Sequence, residues 1–163
     1  MIKENKNVGS FRKSFKVQRG FTLIEILVVI GIIAVLAAVV LVAINPARQF
    51  KLARDSQRVS NITAILNAVG QNIAENRGLF NCANITLPAT STLIQANATS
   101  TFNIAPCLIP NYISSLPFDP SKIDAHYTSD VDYNTGYRIF QDINGRITVS
   151  ADGEINPSIE IKR

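Results

Sequence analysis

Residues 21–44 read FTLIEILVVIGIIAVLAAVVLVAI, and Glu25 is the only charged residue among them. As a helix this stretch spans roughly 36 Å, against about 30 Å for the hydrocarbon core of a bilayer. It is longer than the roughly 7–15 apolar residues of a secretory signal, and no small-residue cleavage site follows it. No cysteine stands at its end to take a lipid. A buried core helix would need a larger surrounding domain than the rest of the chain supplies. The run therefore reads as a membrane-spanning helix.

The chain before it is basic. Residues 1–20 hold Lys3, Lys6, Arg12, Lys13, Lys16 and Arg19 against Glu4, whereas the whole 163-residue chain holds 16 basic and 12 acidic residues. The first 20 residues are thus net +5 and the remaining 143 net −1, which marks a targeting segment rather than a nucleic-acid surface. At 47% hydrophobic residues the chain is too apolar for global disorder, and at 17% charged it falls below the ~25% of ordinary soluble chains. Six basic residues before the span and four after it (Arg48, Lys51, Arg54, Arg58) lean toward an N-terminus on the inside.

Glu25 is the anomaly. A carboxylate in a membrane helix costs about 2.5–3.5 kcal/mol on insertion scales, so it either snorkels to the interface or is buried with a cation. The residues just ahead bear on that choice. Arg19-Gly20-Phe21-Thr22-Leu23-Ile24-Glu25 resembles the processing site of type IV prepilins and type II secretion pseudopilins. A basic leader, Gly20, Phe21, Glu25 at the fifth place after it, and an unbroken apolar helix all coincide. The resemblance implies a prepilin peptidase that cuts between Gly20 and Phe21 and methylates the new Phe21 amine. It also implies that this amine meets Glu25 of a neighbouring subunit in a helical filament. The implied fold is α+β and pilin-like: a long N-terminal helix, half of it membrane-embedded, with a small C-terminal head of antiparallel sheet. Many type IV pilins carry a proline within the apolar helix, but here Pro46 lies just past its end. It disfavours a helical Asn45 and predicts a kink or short break there.

Working outward, the expected organisation is a leader over 1–20, a transmembrane or filament-core helix over 21–44, an amphipathic stalk helix over 45–77 and an exported head over 78–163. In the stalk, Leu52, Val59, Ile62, Leu66, Val69 and Ile73 recur at gaps of three, four and seven, which predicts one apolar stripe. Arg48, Lys51, Arg54 and Arg58 lie mostly off it and read as a solvated face or a lipid-headgroup contact before assembly. Arg77-Gly78 reads as the end of the helix.

Residues 84–105 are rich in Ser, Thr, Asn and Ala and carry no charge. They read as a loop with at most a short strand. Cys82 and Cys107 bracket this loop. In an exported head they are expected to pair, although free thiols remain open in a reducing compartment. As zinc ligands they are poor, since one distant His126 cannot complete a tetrahedral shell.

Toward the C-terminus, Gly136–Ile143 and Arg146–Ala151 flank Asn144-Gly145, a signal for a type I′ hairpin with Tyr137, Ile139 and Ile143 on one face. A third strand is placed within Ser150–Ile161 or at Asn111–Ser115. Ser115-Leu116-Pro117-Phe118-Asp119-Pro120, with Gly136-Tyr137 after it, also resembles pseudopilin heads. That resemblance implies calcium in this region, with Asp119, Asp124, Asp130, Asp132 and Asn134 as the candidate oxygens. Asp130-x-Asp132-x-Asn134 has the alternate spacing of calcium loops, but no glycine follows at the sixth place and position 141 is Gln where a Glu would close the site. The competing reading is an acidic, solvated loop.

No phosphate loop, dinucleotide fingerprint, zinc spacing or catalytic triad motif appears in the sequence. The chain reads as a non-enzyme without a cofactor, calcium aside. The expected partners are prepilin peptidase, further pilin copies, a membrane assembly platform and the bilayer. The expected location is the cytoplasmic membrane, single-pass with the N-terminus inside, and later a filament outside the cell. Two other functions compete: a minor tip pilin that binds DNA or a surface, and a plain membrane-anchored protein. Beyond Gly78 there are five basic and eight acidic residues, which argues against DNA attraction by the head alone.

Overall fold

The computed structural model describes residues 20–82 and 85–163. All of the predicted leader but Gly20 therefore lies outside the described residues. The chain divides into two compact units, Met1–Ile44 and Asn45–Arg163.

Within the first unit, α1 runs Leu23–Ile44. It is apolar on every side, carries Glu25 in its first turn, and has no buried residue. By length and composition it is sufficient to cross a membrane. A helix this apolar on all faces has no polar side to give to water, so it needs lipid or other helices around it.

The second unit opens at Asn45, where the helix breaks as Pro46 predicts. Asn45 adopts a left-handed backbone, φ 47° and ψ 81°, a conformation that asparagine tolerates better than most residues. Its side chain accepts from the Arg48 N–H at 3.3 Å, which caps α2, Pro46–Glu75, with Pro46 in the first turn where its missing donor costs nothing. The far end unwinds through Arg77 (φ 58°) and Gly78 (φ 87°), and the Gly78 N–H returns to the Ile73 carbonyl at 2.9 Å.

The head is a six-stranded mixed sheet with a short helix. In chain order the elements are β1 Thr92–Gln95, β2 Thr101–Phe102, α3 Ala105–Leu108, β3 His126–Ser129, β4 Asp132–Gln141, β5 Ile147–Asp152 and β6 Ser158–Lys162. The strand order is β2-β1-β4-β5-β6, with β3 also paired to β4. The ten-residue β4 organises the sheet. It pairs antiparallel with β1 on one side, and with β3 and then β5 along its two halves.

The expectation of an all-antiparallel sheet needs correction, because β1 and β2 run parallel. The uncharged Ser/Thr/Asn segment, expected to hold at most one short strand, supplies both. Ile94 and Phe102 alone carry their burial, 0% and 6% exposed. The third strand lies at Ser158–Lys162; Asn111–Ser115 forms none.

The β4–β5 hairpin forms, but not through a two-residue turn. Gln141 pairs with Ile147, and residues 142–146 connect them. Of Asn144 and Gly145 only Gly145 has positive φ, 82°, whereas a type I′ turn needs both. The Asp142 carboxylate accepts from the Asn144 and Arg146 N–H groups and props up the longer loop. Ile143 consequently leaves the sheet and stands fully exposed, off the face that Tyr137 and Ile139 share.

The sheet packs on α2 mainly through β5 and β6. Ile62, Ile65, Leu66 and Val69 meet Ile139, Val149 and Ile159 in one apolar core. Val59, predicted on the buried stripe, is 44% exposed, and Ile65 takes its place in the core.

Candidate processing and assembly site

Gly20, Phe21 and Thr22 precede α1 in non-helical backbone, and all three are exposed. The Phe21 side chain is 86% accessible. A peptide bond outside regular structure, flanked by glycine, is free to enter a protease cleft in extended form. The helix begins at once afterwards, and Thr22 and Glu25 are why. The Thr22 N–H and hydroxyl both donate to Glu25 Oε2, at 2.7 and 2.8 Å, and the Glu25 N–H donates back to Thr22 Oγ1 at 3.3 Å. This is a reciprocal capping box, which satisfies two helix-end donors and places a carboxylate at the positive end of the helix. Both Thr22 bonds fall on one oxygen. Glu25 Oε1 has no partner among the described residues, so the carboxylate keeps capacity for a cation.

A family model, the prokaryotic N-terminal methylation motif, matches residues 15–41. The chain carries the prepilin methylation motif. That motif is the hallmark of type IV prepilins and pseudopilins, and it supports reading the chain as a prepilin-like substrate of prepilin peptidase. Comparison with curated proteins and with solved structures finds no match.

On α2, a second charged group escaped the sequence reading. Arg58, expected on a solvated face, is 2% exposed. Its guanidinium grips Asp119 with two parallel bonds, Nε to Oδ2 at 2.7 Å and Nη2 to Oδ1 at 2.9 Å. It also donates to Asp55 Oδ1 at 2.7 Å and to Ser121 Oγ at 2.6 Å. Asp55, 4% exposed, accepts in addition from the backbone N–H groups of Glu154, Ile155 and Asn156. Glu154 completes the cluster by pairing with Arg54, Nη2 to Oε2 at 2.6 Å.

These bonds fasten two distant loops, 119–122 and 153–156, onto α2. Gly153 is required by the fit, because a Cβ there would collide with the Asn156 carbonyl oxygen. Burial alone would raise the Asp55 carboxyl, but three backbone donors and Arg58 outweigh it and hold it down at about 2. The Arg54 bond, helped by Ser121 and Arg58, brings Glu154 to about 2 as well. No buried side-chain nitrogen or oxygen among the described residues lacks a partner.

The cluster also explains why Leu-Pro-Phe-Asp-Pro and Gly-Tyr occur together. Leu116 enters the core, 1% exposed, and Asp119 turns beneath Gly136, whose φ is 75° and whose missing Cβ would come 3.1 Å from the Asp119 Cβ. Tyr137, buried beside them, accepts from Asn61 Nδ2 at 2.9 Å.

Of the five residues read as calcium ligands, three have side-chain oxygens engaged within the protein. Asp119 is occupied by Arg58 and by the Ser121 and Lys122 N–H groups. Asn134 Oδ1 accepts from the Gly136 N–H, and Asp132 lies 3.3 Å from His126 Nε2. Asp124 precedes β3, its carbonyl taken by His126 Nδ1, and Asp130 lies in the β3–β4 turn. Among the described residues no group of three or more His, Cys, Asp or Glu side chains is arranged to hold a metal.

Cys82 and Cys107 are joined in a disulfide, with Cα atoms 4.9 Å apart. It ties the segment after α2 to α3. Asn72, buried on the last turns of α2, donates to the Cys107 and Asn81 carbonyls and accepts from the Asn81 N–H.

Proposed function

We propose that this chain is a structural subunit of a type IV pilus-like or type II secretion pseudopilus filament. It is stored in the cytoplasmic membrane with its N-terminus inside, cut between Gly20 and Phe21, and methylated on the new Phe21 amine. It is then drawn out of the bilayer to stack with copies of itself and other pilins on an assembly platform. Stacking gives α1 the apolar surroundings it lacks alone. The Phe21 amine of one subunit meets Glu25 of the next and sets the axial register, since two desolvated charges are tolerable together and costly apart. The protein is acted on by an enzyme and is not one.

The observation that carries this reading is the methylation motif standing on a helix with no buried residue. Co-expression with an active prepilin peptidase tests it, read by intact mass and N-terminal sequence. A product that begins at Phe21 with one added methyl group supports the reading. A chain still beginning at Met1, beside a control prepilin that is cut, overturns it.

A further inference from the structure

The four basic residues after the apolar helix divide into two pairs. Arg54 and Arg58 are committed to Glu154, Asp55 and Asp119 within the head. Arg48 and Lys51 are exposed and have no ion-pair partner among the described residues. Between them stands Phe50, a bare aromatic ring, 64% exposed at the start of α2, ahead of the stretch that packs on the sheet. Among the described residues the head offers these three side chains no hydrogen bond or ion pair.

Their place in the chain says what does. Arg48 follows Ile44 by four residues and Lys51 by seven. At helical rise that is about 6 and 10 Å of chain, and the headgroup layer adds roughly 5–7 Å to each face of the hydrocarbon core. The long lysine stem can reach back toward the surface. Whatever direction α2 takes after Asn45, these residues remain tethered to the membrane boundary. An aromatic ring between two cations is the composition that bilayer interfaces favour, with the ring among the headgroups and the cations on phosphate.

We infer that Arg48, Phe50 and Lys51 form a collar that binds anionic phospholipid headgroups while the chain resides in the bilayer. The inference rests on reading α1 as the membrane span. It also gives the first turns of α2 two successive environments, lipid in the stored subunit and other subunits in the filament.

The chain contains no tryptophan, so Phe50→Trp installs a single reporter. The full-length Phe50→Trp chain is reconstituted into vesicles of phosphatidylcholine alone, or with one third phosphatidylglycerol. The indole is expected to emit further to the blue in the anionic vesicles and to be quenched by acrylamide at least about twofold less there. Adding Arg48→Gln and Lys51→Gln is expected to erase the difference. Equal quenching in the two vesicles, with the chain retained after alkaline carbonate washing, overturns the collar and leaves the span intact. Release by carbonate overturns both. Unchanged lipid dependence in the double variant, with filament assembly lost, would instead assign these cations to a neighbouring subunit.

Discussion

Glu25 in α1 and Arg58 in α2 are each a charge set in an apolar stretch of helix, yet among the described residues only Arg58 finds its counter-charges. Arg58 is enclosed by three carboxylates and a serine, and one of those carboxylates, Asp55, is supported by backbone donors from a loop about 100 residues away. Among the described residues Glu25 has only Thr22, on one of its two oxygens. A charge satisfied internally contributes to the stability of the fold that surrounds it. A charge half satisfied contributes little until a second molecule supplies the rest. The two helices differ accordingly: α2 holds the head together, and α1, on the proposed function, waits for assembly.

The sharpest way to break this comparison is Glu25→Ala. It is expected to be cut at Gly20–Phe21 like the unaltered chain, to melt at the same temperature in the head, and to yield no filaments in a shearing assay. Normal filament yield would show that the carboxylate has no intermolecular task. Arg58→Ala should do the reverse. Removing the cation leaves Asp55 and Asp119 buried and unpaired, which costs about 3–5 kcal/mol of head stability in denaturant titration. A loss below about 1 kcal/mol would mean that the cluster is surface decoration.

Acid sharpens the same contrast. Asp55 and Glu154 are held at about 2 in the folded head, below the ordinary values of 3.8 and 4.5. Carboxylates depressed by folding stabilise in their ionised form, so their contribution is complete above pH 4.5 and fades as the pH falls toward 2. Thermal melts across that window should show the decline, and Arg54→Ala, which removes the main cause of the low Glu154 value, should make it shallower. Replacing both Cys82 and Cys107 with serine is expected to cost about 3 kcal/mol through the freed loop, an effect confined to the head and without consequence for cleavage at Gly20. The smallest effect belongs to calcium. With Asp119 taken by Arg58 and Asn134 by the Gly136 N–H, millimolar Ca²⁺ is expected to leave the melting temperature in place. A clear rise would restore the acidic loop as a metal site.

The parts of this molecule that are legible in the sequence are those governed by neighbours in the chain. The apolar run, the break at Asn45-Pro46 and the pairing of β4 with β5 follow from local pattern. The buried cluster does not, because Arg58 meets Asp119 and Glu154 only after the chain has travelled 61 and 96 residues. A trace of it was present even so. Asp55, Arg58, Ile62, Ile65, Val69 and Asn72 recur at gaps of three and four and are all buried. The stripe facing the sheet therefore begins in charges of opposite sign, and a reading that follows apolar residues alone slides to Leu52 and Val59. β1 and β2 were obscured for a different reason: strands of four and two residues offer too few positions for alternation to register. Asn144-Gly145 misled because the Asp142 carboxylate accepts from the Asn144 and Arg146 N–H groups and favours a longer loop.

The most direct test of the central claim is the mass spectrum of the filament fraction. The chain is expressed with a complete pilus assembly machinery, and filaments are sheared from the cells and pelleted. The account predicts a pelleted chain that begins at Phe21, carries one methyl group on that amine, and retains the Cys82–Cys107 bond. Finding the chain only in the membrane fraction and beginning at Met1, while a control pilin assembles in the same cells, would contradict it.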